Sequence, residues 1–294
     1  MTIDRKISYK LHEIVEKYPI KGGKKLANTI SKLILPIPKG RIVVDNRNGQ
    51  KVILNPRRNK GVDLSIFYTG LYEPGVINVM RNVLDQGDTF MEIGANIAPL
   101  SMSASEMVGG NGQIYAFEPD PTVVRIINAN IKLNSLQNIS AVNIGLGDKE
   151  SEMMLYLKPE INRGASSLIK EPGDRSVKVK IETLDRFVKR ENIKDISMMV
   201  IDVEGWEEHV LKGGLNTIKR YSPLVSMEFN SKYNPQKLYE IIKKLGIYNI
   251  YSLRRSKDYV SKLRKVQSFK DLKLDDNAFF LTPKHEKMLQ SIIG

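Results

Sequence analysis

From residue 89 onward, short apolar runs alternate with longer segments whose apolar residues recur every three or four positions. The runs predict strands at 89–93, 112–118, 139–144, 197–202, 223–229, 248–253 and 277–282. The periodic segments predict helices at 99–107, 121–134, 206–219 and 235–245. This alternation builds a mostly parallel sheet with helices on both faces. Residues 152–157 and 177–181 alternate at period two and predict an inserted hairpin, followed by a short helix at 183–190. A helix is predicted at 74–86, opening at Pro74 and closing at Gly87. Upstream, 41–45 and 51–54 flank a turn containing Asn48-Gly49, a hairpin signal. Residues 1–35 read as one or two basic helices broken at Pro19 and Gly22-Gly23. Within 26–38, Leu26, Ile30, Leu33 and Ile34 stand at helical spacing between lysines. Such a stripe suits a membrane surface or a bare patch of the body, and covering the body is the expectation. The chain divides into a basic extension, 1–60, and an α/β domain, 61–294.

Charge sharpens that division. Of the net +13, residues 1–60 carry 15 basic and 4 acidic residues, or +11. Residues 251–273 carry 8 and 2, or +6, so the rest of the chain is slightly acidic. Two basic segments on a near-neutral body point to an anionic membrane surface, nucleic acid or an anionic glycan as partner. There is no cysteine, which removes disulfides, thiolate metal sites and cysteine nucleophiles. The three histidines lie far apart, against a histidine-rich metal centre. No apolar run reaches the ~18 residues of a membrane span. No secretory signal is legible, so a cytoplasmic location is expected, with peripheral membrane contact through 1–60.

The strand ends carry the candidate chemistry. Asp88 to Ile93 leads into Gly94-Ala95-Asn96-Ile97-Ala98-Pro99, and Tyr115-Ala116-Phe117 ends in Glu118. A strand, a small-residue turn, a helix and a second strand ending in an acid form a unit suited to a nucleoside-bearing ligand. Glu118 lies 24 residues after Gly94, close to the ~20-residue spacing of an acid that grips a ribose diol. Only one glycine stands in the turn, and Asn96 occupies the place where a pyrophosphate needs close backbone approach. Glu92 would repel a pyrophosphate and attract an ammonium group. These features favour S-adenosylmethionine over a nicotinamide dinucleotide. Asp120, before Pro121, reads as a helix cap. Gly145-Leu146-Gly147-Asp148 follows the third strand, where Gly147 and Asp148 could contact an adenine. The fourth strand ends Ile201-Asp202-Val203-Glu204-Gly205-Trp206-Glu207, and the fifth ends Met227-Glu228-Phe229-Asn230. Asp202 and Glu204 are placed to face a substrate hydroxyl, with Glu228 beside them. Glu204 or Glu207 could instead complement the following helix N-terminus. Asp202, Glu228 and Asn230 could together hold Mg²⁺, but the set is sparse and no metal is expected. Trp206, the only tryptophan, suits substrate stacking or core packing equally.

These residues resemble the FkbM family of S-adenosylmethionine-dependent methyltransferases. The matching pieces stand in the family's order: Gly70-Leu71-Tyr72-Glu73-Pro74, Glu92 to Ile97, and Phe117-Glu118-Pro119-Asp120-Pro121. Asn130, Asn134, Ser166-Ser167 and Thr183-Leu184-Asp185 follow, then Ile201 to Glu207, Leu211-Lys212-Gly213 and Pro223 with Glu228. Ala98 departs from the family's usual glycine, and the first 60 residues fall outside the likeness. The resemblance implies a Rossmann-like, doubly wound methyltransferase sheet of seven strands. It also implies O-methylation of a sugar or another hydroxyl-bearing metabolite. Transferred residue by residue, Glu92, Gly94 and Asn96 would hold the methionine end, Glu118 the ribose, and Asp202 and Glu204 the acceptor. Asp202 is the expected base, with Glu204 or Glu228 as substitutes. The main rival is an RNA or DNA methyltransferase that uses the basic segments. Against it, the fourth strand has no Asn-Pro-Pro-Tyr-type loop and no RNA-binding module is legible.

Overall fold

The computed structural model describes residues 2–18, 21–158, 166–169, 175–253, 262–272, 274 and 276–294. Pro19, most of the 158–176 insertion and the centre of the 251–273 connection lie outside the described residues. Two helices come first, α1 (Ile3–Lys17) and α2 (Gly23–Ile34), then a hairpin of β1 (Ile42–Asp45) and β2 (Lys51–Leu54). Helices α3 (Val62–Thr69) and α4 (Pro74–Val83) lead into the main sheet. Its first half runs β3 (Thr89–Ile93), α5 (Pro99–Val108), β4 (Gln113–Phe117), α6 (Pro121–Leu133) and β5 (Ile139–Val142). A small sheet follows, of β6 (Gly145–Leu146), β7 (Ser151–Leu157) and β8 (Arg175–Glu182), and then α7 (Leu184–Arg190). The second half runs β9 (Met198–Ile201), α8 (Glu207–Gly213), α9 (Leu215–Tyr221), β10 (Leu224–Glu228) and α10 (Pro235–Leu245). It closes with β11 (Asn249–Leu253), β12 (Leu263–Lys265), β13 (Asn277–Leu281) and α11 (Pro283–Met288).

Among the described residues the main sheet has the order β12-β11-β13-β10-β9-β3-β4-β5. Strands β10, β9, β3, β4 and β5 pair in parallel, while β13 runs antiparallel to both of its neighbours. Successive side chains of a strand face opposite sides. Phe90, Met198, Leu224 and Phe279 therefore enter one core layer, and Met91, Met199, Val225 and Phe280 enter the other. Burial on both faces explains why these strands read as continuous apolar runs. All seven predicted strands are present. The eighth, β12, was not predicted: Leu263-Arg264-Lys265 is short and charged, which an edge strand tolerates. The predicted 206–219 helix is two helices that meet at Gly214.

Side-chain caps fix the starts of α6, α7 and α10. Asp120 accepts the Thr122 amide at 2.7 Å before Pro121, the predicted cap. The hairpin is tied to α6 by two asparagines. Asn130 accepts the Ile53 amide at 2.9 Å, while Asn134 both accepts from and donates to the Lys51 backbone. Helix α1 is anchored to the hairpin turn by the Glu16–Arg47 ion pair, with both side chains largely buried. Ser8 donates to the Tyr68 carbonyl, and Tyr9 to that of Ile66. The face of α2 that meets the body differs in part from expectation: of the predicted stripe, Ile34 packs against the core. Gly23, Ala27 and Ser31 are buried, whereas Leu26 and Leu33 remain 60% and 77% exposed. Small residues let α2 approach α1 closely, so Leu26 and Leu33 turn away.

Candidate active site

Strand order reverses between β3 and β9, since the chain winds outward through β4 and β5 on one side and β10 on the other. A crevice at the carboxyl ends of such strands is where open α/β sheets hold ligands. A cavity lies there, lined by Glu92, Asn96, Glu118, Asp202, Glu204 and Trp206 among others. Among the described residues, no Lys, Arg or His lines it.

The turn after β3 is shaped by contact with β9. Gly94 has φ +84°, and a Cβ there would lie 1.8 Å from the Asp202 carbonyl oxygen. The glycine thus serves the approach of two strand ends. Asn96 and Ala98 also take the left-handed conformation, at φ 52° and 60°. The turn's amides are engaged in sequence. Gly94 and Ala95 donate to the Phe117 carbonyl, and Asn96 donates to one oxygen of Glu118 at 2.9 Å. The other oxygen of Glu118 accepts the Asp120 amide at 2.9 Å. Two backbone donors, one per oxygen, fix this carboxylate in the cavity wall.

Glu92 is 5% exposed. One of its oxygens accepts both the amide and the hydroxyl of Ser101, at 2.7 and 2.5 Å. It thereby ties β3 to the first turn of α5 as well as lining the cavity. Burial pushes its pKa up to about 8, against the pull of the Ser101 bonds. At the β9 end, burial and then the nearby Glu207 raise Asp202 to about 6. Burial, with Asp202 and Glu228 close by, raises Glu204 to about 8. Glu204 is held at φ 49°, and its carbonyl accepts the Ser167 hydroxyl. Glu207 accepts the Gly205 amide at 3.1 Å, so Glu207 takes the helix-complementing role weighed for these two acids.

A second cavity adjoins the first and shares Asp202, Glu204, Tyr72, Glu73 and Asn277 with it. Glu228 lines this second cavity only. Its far side is built by the N-terminal elements and includes His12, Lys24, Lys32 and Lys60. Burial, then Arg47 and Lys24, push His12 down to about 4, so it is neutral near pH 7.

Two predicted contacts are not brought to either cavity. Gly147 backs onto Ile181 and Trp206, and Asp148 lies 3.2 Å from His209 Nδ1. The first cavity reaches only Gly145 and Leu146 of that loop. The side chain of Asn230 accepts the Lys232 amide. Among the described residues, no group of three His, Asp or Glu is arranged to hold a metal ion. Sequence reading missed Glu73 and Asn277, which are joined at 2.7 Å. Strand β13 lies next to β10 and sets Asn277 opposite Glu228. Tyr72-Glu73 stood within the resembling pieces without a role.

The donor set fits S-adenosylmethionine. Carboxylates suit its sulfonium and ammonium charges and would repel a dinucleotide's pyrophosphate. Fold and cavity define a Rossmann-like, S-adenosylmethionine-dependent methyltransferase. The methyltransferase FkbM domain matches residues 92–260, more than half of the chain, and the protein belongs to that family. The hexuronic acid methyltransferase AglP of Haloferax volcanii is 22% identical over 189 residues, covering 64% of this chain and 75% of that protein. Methyltransferase 1 of Beauveria bassiana is 26% identical over 121 residues, 34% of this chain and 48% of that one. A crystal structure of an FkbM methyltransferase from Methylobacillus flagellatus aligns with a TM-score of 0.44 at 13% identity. That alignment covers 66% of this chain and 44% of the other, so this chain spans less than half of that protein.

Proposed function

We propose that the protein O-methylates a sugar or glycan hydroxyl, with the acceptor entering through the second cavity. The observation that carries this reading is the shared wall: Asp202 and Glu204 line both cavities. S-adenosylmethionine supplies a methyl group activated by a positive sulfur. The task of the protein is then alignment, which can contribute ~7–11 kcal/mol, and removal of the hydroxyl proton. In this reading Glu118 holds the ribose, and Glu92 with the Gly94–Asn96 turn holds the methionine end. Asp202 is the base. A carboxylate near pKa 6 is largely ionised at pH 7 yet basic enough to take a proton, whereas Glu204, near 8, is largely protonated. Acids at one end of the second cavity and Lys24, Lys32 and Lys60 at the other suit an acceptor that carries a carboxylate or phosphate. The likeness to a hexuronic acid methyltransferase supports an acidic sugar.

The test is Asp202→Asn, assayed with uronic-acid acceptors. Turnover should drop ~10²–10⁴-fold while S-adenosylmethionine affinity stays nearly unchanged. Undiminished turnover removes Asp202 from the role of base.

A further inference from the structure

Ten large apolar side chains are exposed among the described residues, and eight of them lie between Ile3 and Val43. On α1 the set is Ile3, Ile7, Ile14 and, at its C-cap, Tyr18. Spacings of four, seven and four confine these to a stripe about 60° wide at 100° per residue. The opposite face holds the residues buried against the body: Ser8, Tyr9, His12 and Glu16. The stripe therefore points away from the fold. Helix α2 repeats the arrangement, with Gly23, Ala27 and Ser31 inward and Leu26 and Leu33 outward. Ile37, just beyond α2, is also exposed.

Charge identifies what covers this face. Lys6 and Lys17 lie along one side of the α1 stripe and Lys21 and Lys25 accompany α2, all of them exposed, while Lys10 on the same side of α1 pairs with Glu13 at 3.2 Å. A protein partner with an apolar groove would need no such excess, whereas a bilayer rich in anionic lipid matches both features. Apolar side chains enter the acyl boundary, while the lysines stay at headgroup level. We propose that α1 and α2 form a docking face for an anionic membrane surface. No described helix is long and apolar enough to cross a bilayer. The face does not depend on the acceptor reading. Its lipid-facing side chains are not those that line the second cavity, so docking leaves that cavity intact.

The test is co-sedimentation of the full chain with vesicles of phosphatidylcholine alone, or with 30 mol% phosphatidylglycerol. Each lysine near an anionic surface strengthens binding about fivefold, so binding to the mixed vesicles should exceed that to the neutral ones by more than tenfold. It should also weaken as salt rises. Ile7→Ser, Ile14→Ser, Leu26→Ser and Leu33→Ser combined should reduce binding at least tenfold and leave cofactor affinity unchanged. All four residues are solvent-exposed, so the fold is retained. Absence of wild-type binding to the mixed vesicles overturns the proposal, as does undiminished binding by the variant. A wild-type dimer that the four substitutions convert to monomer also overturns it, since a second copy would then cover the face.

Discussion

Gly94 and Gly87 allow the close contact of β3 with β9 to be weighed in isolation. Both glycines are left-handed, at φ +84° and +93°. A Cβ at Gly87 meets nothing within 4 Å, whereas one at Gly94 would sit 1.8 Å from the Asp202 carbonyl oxygen. Alanine at either position costs about 1–2 kcal/mol for the left-handed backbone. At Gly94 the strand ends must also separate, an overpacking cost of about 1–3 kcal/mol. Gly94→Ala should therefore destabilise by about 2–5 kcal/mol, a large part of a typical 5–15 kcal/mol total. Gly87→Ala should cost only the backbone part. Urea unfolding of both variants measures the difference. The same shift would move the Asn96 amide off Glu118, so Gly94→Ala should also weaken S-adenosylmethionine binding and Gly87→Ala should not. Equal losses of stability in the two variants would refute the claim that strand contact demands glycine at 94.

The acidic site also sets a pH dependence. Folding raises Glu92 and Glu204 from 4.5 to about 8 and Asp202 from 3.8 to about 6. The folded chain then binds more protons than the unfolded one between about pH 4 and 8, so their contribution to stability declines as pH rises through that window. Ligand-free protein should melt lower at pH 8.5 than at 5.5, and Glu204→Gln should flatten the difference; a slope unchanged by Glu204→Gln contradicts this account. A cationic ligand favours the ionised acids, so S-adenosylmethionine affinity should rise from pH 6 to 8. Asn130 is fully buried, and Asn130→Ala strands the Ile53 amide. It should lower stability by about 1–3 kcal/mol in urea unfolding, and a loss near zero would remove it from the hairpin's anchorage.

The strands and their acidic ends were legible because burial on both faces makes a parallel strand an unbroken apolar run. A carboxylate at the tip of such a run, as at Glu92, Glu118 and Asp202, then stands out. What was not legible depends on contacts distant in sequence. Nothing local tells that β13 lies next to β10 and sets Asn277 opposite Glu228. Helix α3 was missed because it is apolar on most sides and shows no one-sided period. On α2 the larger side chains suggested the inward face; Ile34 does pack against the core, but close helix packing put Gly23, Ala27 and Ser31 inward in place of Leu26 and Leu33. The Glu92–Ser101 bonds show a residue of the cavity wall that also holds α5 in place, a double role that spacing does not reveal.

The central claim is that this sheet edge is an S-adenosylmethionine site whose ribose is held by Glu118. Calorimetric titration of wild type and Glu118→Ala tests it most directly, with the melting temperature of the variant as the check on folding. Two hydrogen bonds to a carboxylate, at ~1.5 kcal/mol or more each, predict about a hundredfold loss of affinity in the variant. Failure of the wild type to bind, or full affinity in a folded Glu118→Ala, would contradict the account.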